Sequence, residues 1–341
     1  MSESTRRREL GRGERVLPGA WRLRLPLPWP GVPHCNAWAL AAGDGIVLVD
    51  CGLHEEGSIE QLERAMGQVG LRLADVRLLV CTHAHSDHYG QAATVIESSG
   101  CELWMHPNHA HMTAAAEDPD EALSRRLEVA RMSGVPVAPL AEWAEAAKQR
   151  GYGIAGIVEP DRDLLPGVVV ETDLGAWTIH ETPGHAPSHV CLHQAERRIL
   201  ISGDHLLGRV SLYFDYGWTP DPVGEFLASL DKVQRLDARL CLAGHGRTFT
   251  DVSAHIDASG CELWMHPDHA HMTAAAEDPD EALARRMEVA RTSGVPAAAL
   301  ARYAERAREL PSGIARVIEP NRALVGGVEV ETDLGAWTIH E

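Results

Sequence analysis

Thr82-His83-Ala84-His85-Ser86-Asp87-His88 places four potential metal ligands within six residues. The apolar run Val76–Cys81 before it reads as a short buried strand, and Gln91–Ser99 after it reads as a helix. The four side chains therefore fall on a strand-to-helix turn, where they can converge instead of pointing along a regular face. Three imidazoles and a carboxylate in one turn suit Zn²⁺ or Fe²⁺, for which nitrogen and carboxylate oxygen are ordinary ligands.

Working outward, three more sites follow apolar runs or glycine turns: Thr182-Pro183-Gly184-His185, Ser202-Gly203-Asp204-His205 and Ala243-Gly244-His245-Gly246. Glycines beside a ligand permit the tight turns that aim it inward, and strand ends on one edge of a sheet form the usual crevice of α/β proteins. The remaining pattern fits that arrangement. Residues 36–42 and 45–50 read as a hairpin of buried strands, and 57–69 as a helix. Helical pattern runs from about 108 to 150, broken near Gly134-Val135-Pro136. Val168–Glu171 with Ala176–His180 reads as a second hairpin. Strands are expected at 190–193, 198–202 and 239–243, the last being the final buried strand, with a helix at 222–236. Strands with intervening helices in both halves indicate α/β layers.

The set His83, His85, Asp87, His88, then Gly-His, Gly-Asp and Gly-His, with Leu48-Val49-Asp50-Cys51-Gly52 upstream, resembles the metallo-β-lactamase superfamily over about residues 15–252. The resemblance implies a four-layer αβ/βα sandwich with a dinuclear metal site on one edge. Carried over by position, His83, His85 and His185 hold one metal, and Asp87, His88 and His245 hold the second. Asp204 bridges them, and Asp50 supports the site from behind. Two Zn²⁺ per chain are expected, with Fe²⁺ as the alternative. Such a pair acidifies a bridging water to supply hydroxide and polarises the carbonyl under attack, while Asp87 or Asp204 orients that hydroxide or passes a proton to the leaving group. The closest overall resemblance is to glyoxalase II-like hydrolases with a helical insertion at about 107–160. The expected substrate is a small molecule: a thioester, ester or lactone. One rival is a mononuclear iron persulfide dioxygenase using a subset of the same residues. The other is a non-catalytic chain. Of the remaining histidines, His34, His106, His109, His111 and His205 read mostly as surface or supporting residues, with His189 a candidate to pack beneath the site. Trp143, Met112, Tyr152 and Met132 either line an apolar pocket over the metals or form the core of the helical pair. Tyr213 and Tyr216 lie where a substrate-facing tyrosine is plausible.

Composition narrows the partners. The 341 residues carry 31 bases against 49 acids, a formal net charge of −18, which disfavours nucleic acid and anionic lipid. No apolar run approaches the ~18 residues of a membrane span, and the basic N-terminal segment lacks the apolar stretch of a secretory signal. Seven cysteines without CxxC spacing read as reduced, mostly buried thiols, so a cytoplasmic protein is expected.

One feature stands apart from this pattern. Residues 98–181 recur at 258–341 with a constant offset of 160 and 61 identities in 84 positions. The repeated segment lies between His88 and His185 and contains none of the seven inferred ligands, so the second copy is not a second active site. The expected organisation is a hydrolase domain at 1–257 followed by a partial duplicate at 258–341. The duplicate has no sheet for Val328–Glu331 and Ala336–His340 to join. It is expected to pack poorly, to cover the first domain, or to exchange with the first copy in a homodimer.

Overall fold

The computed structural model describes residues 10–29, 31–132, 153–207, 218–219, 222–250, 252–253 and 256, and beyond them only short strands at 264–265, 322–323, 329–332 and 335–338. The chain divides into two compact units, Met1–Ile256 and Asp257–Glu341. In the first unit, one sheet runs in sequence order through β1 (Arg12–Leu17), β2 (Ala20–Trp29), β3 (Val32–Ala42), β4 (Gly45–Val49), β5 (Val76–Cys81), β6 (Glu102–Met105) and β7 (Arg162–Asp163). Its first four strands are antiparallel and its last four parallel. The other sheet comprises β8 (Val169–Thr172), β9 (Gly175–Glu181), β10 (Val190–Gln194), β11 (Ile199–Gly203), β12 (Leu240–Ala243) and β13 (Phe249–Thr250). It is antiparallel except between β11 and β12.

Strand periodicity explains why two sheets and two helical layers stack. Successive side chains of a strand point to opposite faces, and here both faces are buried. On β4, Ile46 and Leu48 join one apolar cluster while Val47 and Val49 join another. On β11, Ile199 and Ile201 enter the second cluster and Leu200 a third. The middle cluster, with Trp38 and Trp177 fully buried, lies between the sheets. The outer two are closed by helices: α1 (Ser58–Gly67) and α3 (Ala92–Ser99) through Leu62, Ala65, Met66 and Val95, and α6 (Pro222–Gln234) through Val233. The order is helix, sheet, sheet, helix. Two sheets packed face to face at ~10 Å are also stitched directly along one edge, where Val190 N–H donates to Thr82 O at 2.8 Å and Asn36 N–H to Gly244 O at 2.7 Å.

Several sequence expectations need correction. The first sheet begins well before residue 36: β1 and β2 precede it, and β3 starts at Val32. The helix expected over 57–69 ends at Gly67. A separate turn of helix, α2 (Ser86–Tyr89), carries part of the histidine-rich stretch. Residues 108–132 form two helices, α4 (Ala110–Glu117) and α5 (Pro119–Met132), parted at Asp118 immediately before a proline. The expected break near Gly134 lies outside the described residues, as do Trp143, Tyr152, Tyr213, Tyr216 and the side chain of Met132. Met112 packs into the cluster beneath α3, as a core residue. β12 is followed by a further short strand, β13.

In the second unit the described strands are β14 (Trp264–Met265), β15 (Arg322–Ala323), β16 (Glu329–Thr332) and β17 (Gly335–Thr338). β14 pairs with β15 in the register that β6 and β7 adopt 160 residues earlier, and β16 with β17 in that of β8 and β9. The two strands of this hairpin pair with each other. Among the described residues, β14 lacks the neighbour that β5 gives β6, and β17 lacks the neighbour that β10 gives β9.

Candidate metal centre

Five of the seven candidate ligands follow the ends of strands on the stitched edge, and two lie on the short helix after β5. His83 and His85 follow β5, and Asp87 and His88 lie on α2. His185 follows β9, Asp204 follows β11 and His245 follows β12. All are buried except His85, which is half-buried. Their ligand atoms gather into three overlapping groups: His83 with His85 and His185, His83 with His88 and Asp204, and Asp87 with His88 and His245. Within each group the atoms lie within 4.8 Å of one another. Asp204 spans the first and last of these groups, with Oδ2 3.7 Å from His185 Nε2 and 3.2 Å from His245 Nε2. Asp87 Oδ2 is 3.2 Å from His245 Nε2 and 3.5 Å from His88 Nε2.

Hydrogen bonding from behind decides which ring nitrogen His83, His88 and His245 present. Asp50 carboxylate accepts three bonds: from Thr82 N–H at 2.8 Å, from Thr82 Oγ1–H at 2.9 Å and from His88 Nδ1 at 2.8 Å. A carboxylate can only accept, so the Thr82 hydroxyl proton is committed to it. Thr82 Oγ1 must then accept from His83 Nδ1–H at 2.9 Å. His245 Nδ1 donates to the carbonyl of His34 at 2.8 Å. All three rings therefore carry a proton on Nδ1 and turn Nε2 inward, an arrangement that outer hydrogen bonds commonly impose on metal-binding imidazoles. Among the described residues, His83 Nε2 is buried without a hydrogen-bond partner, which is costly unless something else satisfies its lone pair.

His189 is the support expected beneath the site. Its Nε2 accepts from Asp204 N–H at 3.0 Å, so its Nδ1–H faces Thr182 Oγ1 at 2.8 Å, and burial pushes its pKa well down. The chain around Asp204 is thereby held by a neutral imidazole. Glycine is required on both sides. A Cβ on Gly203, whose φ is +47°, would lie 2.7 Å from His189 Nε2, and one on Gly244 would overlap Asp204 Oδ1 and lie 2.8 Å from His88 Cε1.

The electrostatics divide the histidines. Burial, reinforced by His88 and His85, pushes His83 well below its ordinary pKa. Burial alone would do the same to His88 and His245, but the carboxylates of Asp204 and Asp87 outweigh it. They hold His88 well above its ordinary value and raise His245 to about 10. Asp204 is held well down by His245 and His88 against the opposing effect of burial. A cation entering the Asp87, His88 and His245 group would take the place of those protons.

The remaining histidines are mostly not on the surface, which corrects part of the sequence reading. His106, His109, His111 and His205 are all buried. His111 of α4 sits 2.8 Å from Ser188 Oγ, which in turn accepts from Ala84 N–H, and its ring packs edge-on against His85. The helical insertion thus reaches the rim of the site through a contact 77 positions apart in the chain. No local sequence signal marks that contact. Six cysteines, 35, 51, 81, 101, 191 and 241, are free and buried, as expected; Cys261 lies outside the described residues.

The family model described as the metallo-beta-lactamase superfamily matches residues 30–245, a span that contains all seven candidate ligands. The chain is 26% identical over 230 residues to a Bacillus subtilis (strain 168) protein described as a probable metallo-hydrolase, YqjP, covering 64% of this chain and 69% of that one. It is 28% identical over 224 residues to the acyl-coenzyme A thioesterase MBLAC2 of Bos taurus, covering 63% and 74%. The fold superposes on the crystal structure of a metallo-beta-lactamase family protein from Thermus thermophilus with a TM-score of 0.62 at 25% identity, covering 78% and 84%.

Proposed function

Because the chain belongs to the metallo-beta-lactamase superfamily, we propose that it is a metal-dependent hydrolase of a carbonyl substrate, with two Zn²⁺ per chain and a glyoxalase II-like preference for thioesters. The observation that carries this reading is the convergence of three ligand groups on one strand edge, with Asp204 reaching both the His185 and the His245 sides. Nitrogen and carboxylate oxygen with no thiolate suit zinc, and the unpartnered Nε2 of His83 is the kind of atom a cation satisfies. On this reading His83, His85 and His185 hold one cation, Asp87, His88 and His245 the other, and Asp204 lies between them. Bound there, the pair would acidify water toward neutrality and polarise a carbonyl.

The chain's own residues supply the rest. Asp50 and His34 O fix the tautomers of His88 and His245, so their inward nitrogens are presented without reorganisation. Asp87 and Asp204 are the carboxylates at the centre, and each can hold a water proton by accepting it on an oxygen that faces the cluster. His85 is the most exposed of the seven ligands, so substrate is expected to enter on its side. Thioesters come first among ester-like substrates because one of the relatives is an acyl-coenzyme A thioesterase.

The test is elemental analysis of purified protein followed by hydrolysis assays on acyl thioesters, simple esters and lactones. About two zinc ions per chain and thioester turnover lost on chelation are expected. About one iron per chain with oxygen consumption on a persulfide would replace the hydrolase reading with sulfur oxidation. A chain that takes up no metal would end it.

A further inference from the structure

His245 is carried by a turn, Ala243–Gly246, in which three of the four carbonyls are bonded to residues of the opposite sheet. Asn36 N–H donates to Gly244 O at 2.7 Å. The side-chain amide of the same residue donates to Ala243 O at 2.9 Å and to Gly246 O at 3.1 Å. Arg22 Nη1 donates to Gly246 O at 2.8 Å, and the His245 ring donates to His34 O. Asn36 is 1% exposed and Arg22 8% exposed. Both lie on the β2–β3 hairpin, on the face that carries Trp38 toward the second sheet. The Asn36 amide orientation follows from its partners, because two carbonyls can be met only by its N–H₂ end.

We propose that Asn36, assisted by Arg22, is a positioning residue that sets the His245 side of the metal centre by clamping the Ala243–Gly246 turn across the two sheets. The inference rests on the two-cation reading above. The turn offers its carbonyls to the first sheet, so the angle at which His245 Nε2 meets Asp87 and Asp204 is set from β2 and β3 and not from β12 alone. His83, His85 and His185 receive none of these bonds. Losing the clamp therefore weakens one cation position and spares the other. A general loss of stability would weaken both alike. The expected size is that of other supporting bonds behind metal ligands, about 10–100-fold in affinity.

The experiment is Co²⁺ titration of the metal-free full-length chain, followed by visible absorption and checked by elemental analysis, for the unaltered protein and for Asn36→Ala, Arg22→Ala, Arg22→Lys and Leu40→Ala. Leu40 lies on the same strand and face as Asn36 but packs within the apolar cluster between the sheets, so it controls for lost stability. Two Co²⁺ in the unaltered chain, one bound about 10–100-fold more weakly in Asn36→Ala and neither selectively affected in Leu40→Ala, is the expected result. A smaller selective loss in Arg22→Ala, recovered in Arg22→Lys, is expected with it. Asn36→Ala holding both ions as tightly as the unaltered chain, or losing both equally, overturns the clamp while leaving the two-cation reading in place. An unaltered chain that binds fewer than two ions overturns both.

Discussion

Nδ1 of His88 lies 2.8 Å from Oδ2 of Asp50, a residue 38 positions earlier whose own backbone is left-handed, with φ at 61°. Holding a non-glycine residue there costs about 1–3 kcal/mol. The return is a carboxylate that bonds Thr82 twice and His88 once, orienting two of the ligand histidines from one point.

Asp50→Asn should therefore damage the centre without touching a ligand. The amide cannot accept from Thr82 and His88 on the same oxygens as well as a carboxylate does, so the tautomers of His83 and His88 are no longer imposed. Zinc affinity is expected to fall about 10–100-fold, measured by competition with a chromophoric chelator. Unchanged affinity would show that these rings are oriented by packing alone.

Gly244→Ala is expected to be worse than its size suggests. The added methyl overlaps Asp204 Oδ1 and crowds His88 Cε1, so either the turn or both ligands must move. Metal content should drop to less than half, while an alanine at exposed Gly67, where nothing lies within 4 Å of the added Cβ, leaves it unchanged. Elemental analysis of the two variants side by side decides this.

Proton competition gives a pH dependence with a definite sign. His245 titrates at about 10 in the metal-free fold against 6.5 ordinarily, and His88 is also raised. Their pairing with Asp87 and Asp204 stabilises the metal-free protein fully below about pH 6.5 and is lost as pH climbs toward about 10. Metal binding needs those protons gone, so zinc affinity should rise over the same interval. Thermal melts of metal-free protein and zinc titrations, run at several points from about pH 6.5 to about pH 9.5, should move in opposite directions; parallel trends would contradict the assignment.

The two copies of the repeat should respond differently to the same substitution. Trp177 is fully buried between the sheets, and its counterpart Trp337 lies on β17, in the other unit. Trp177→Ala is expected to cost about 3–5 kcal/mol and to reduce metal uptake, whereas Trp337→Ala, or a chain ending after residue 257, should keep full metal content. Loss of metal on truncation would mean the duplicate supports the centre.

Much of this centre is legible in the sequence, because the ligands follow apolar runs or glycine turns, and glycine marks the places where the turn is tight. His83 to His88, Gly203-Asp204 and Gly244-His245 all announce themselves in that way. What the sequence conceals is contact between distant segments. Nothing near Asn36 shows that it meets Ala243 and Gly246, 207 and 210 positions away, and nothing near His111 points to Ser188. The first two strands escape for a local reason. Residues 20–29, Ala-Trp-Arg-Leu-Arg-Leu-Pro-Leu-Pro-Trp, mix arginines and prolines into an alternating pattern, and Arg22 is buried at the seam between the sheets.

The ligands come from both sheets, His83 to His88 from the first and His185, Asp204 and His245 from the second. A newly made chain consequently has no complete centre while only its first half is available. Bringing His83 to His245 closes a long stretch of the first unit, a non-local contact of the kind that slows folding. Metal capture thus becomes a timestamp: it records the moment at which the two halves have docked.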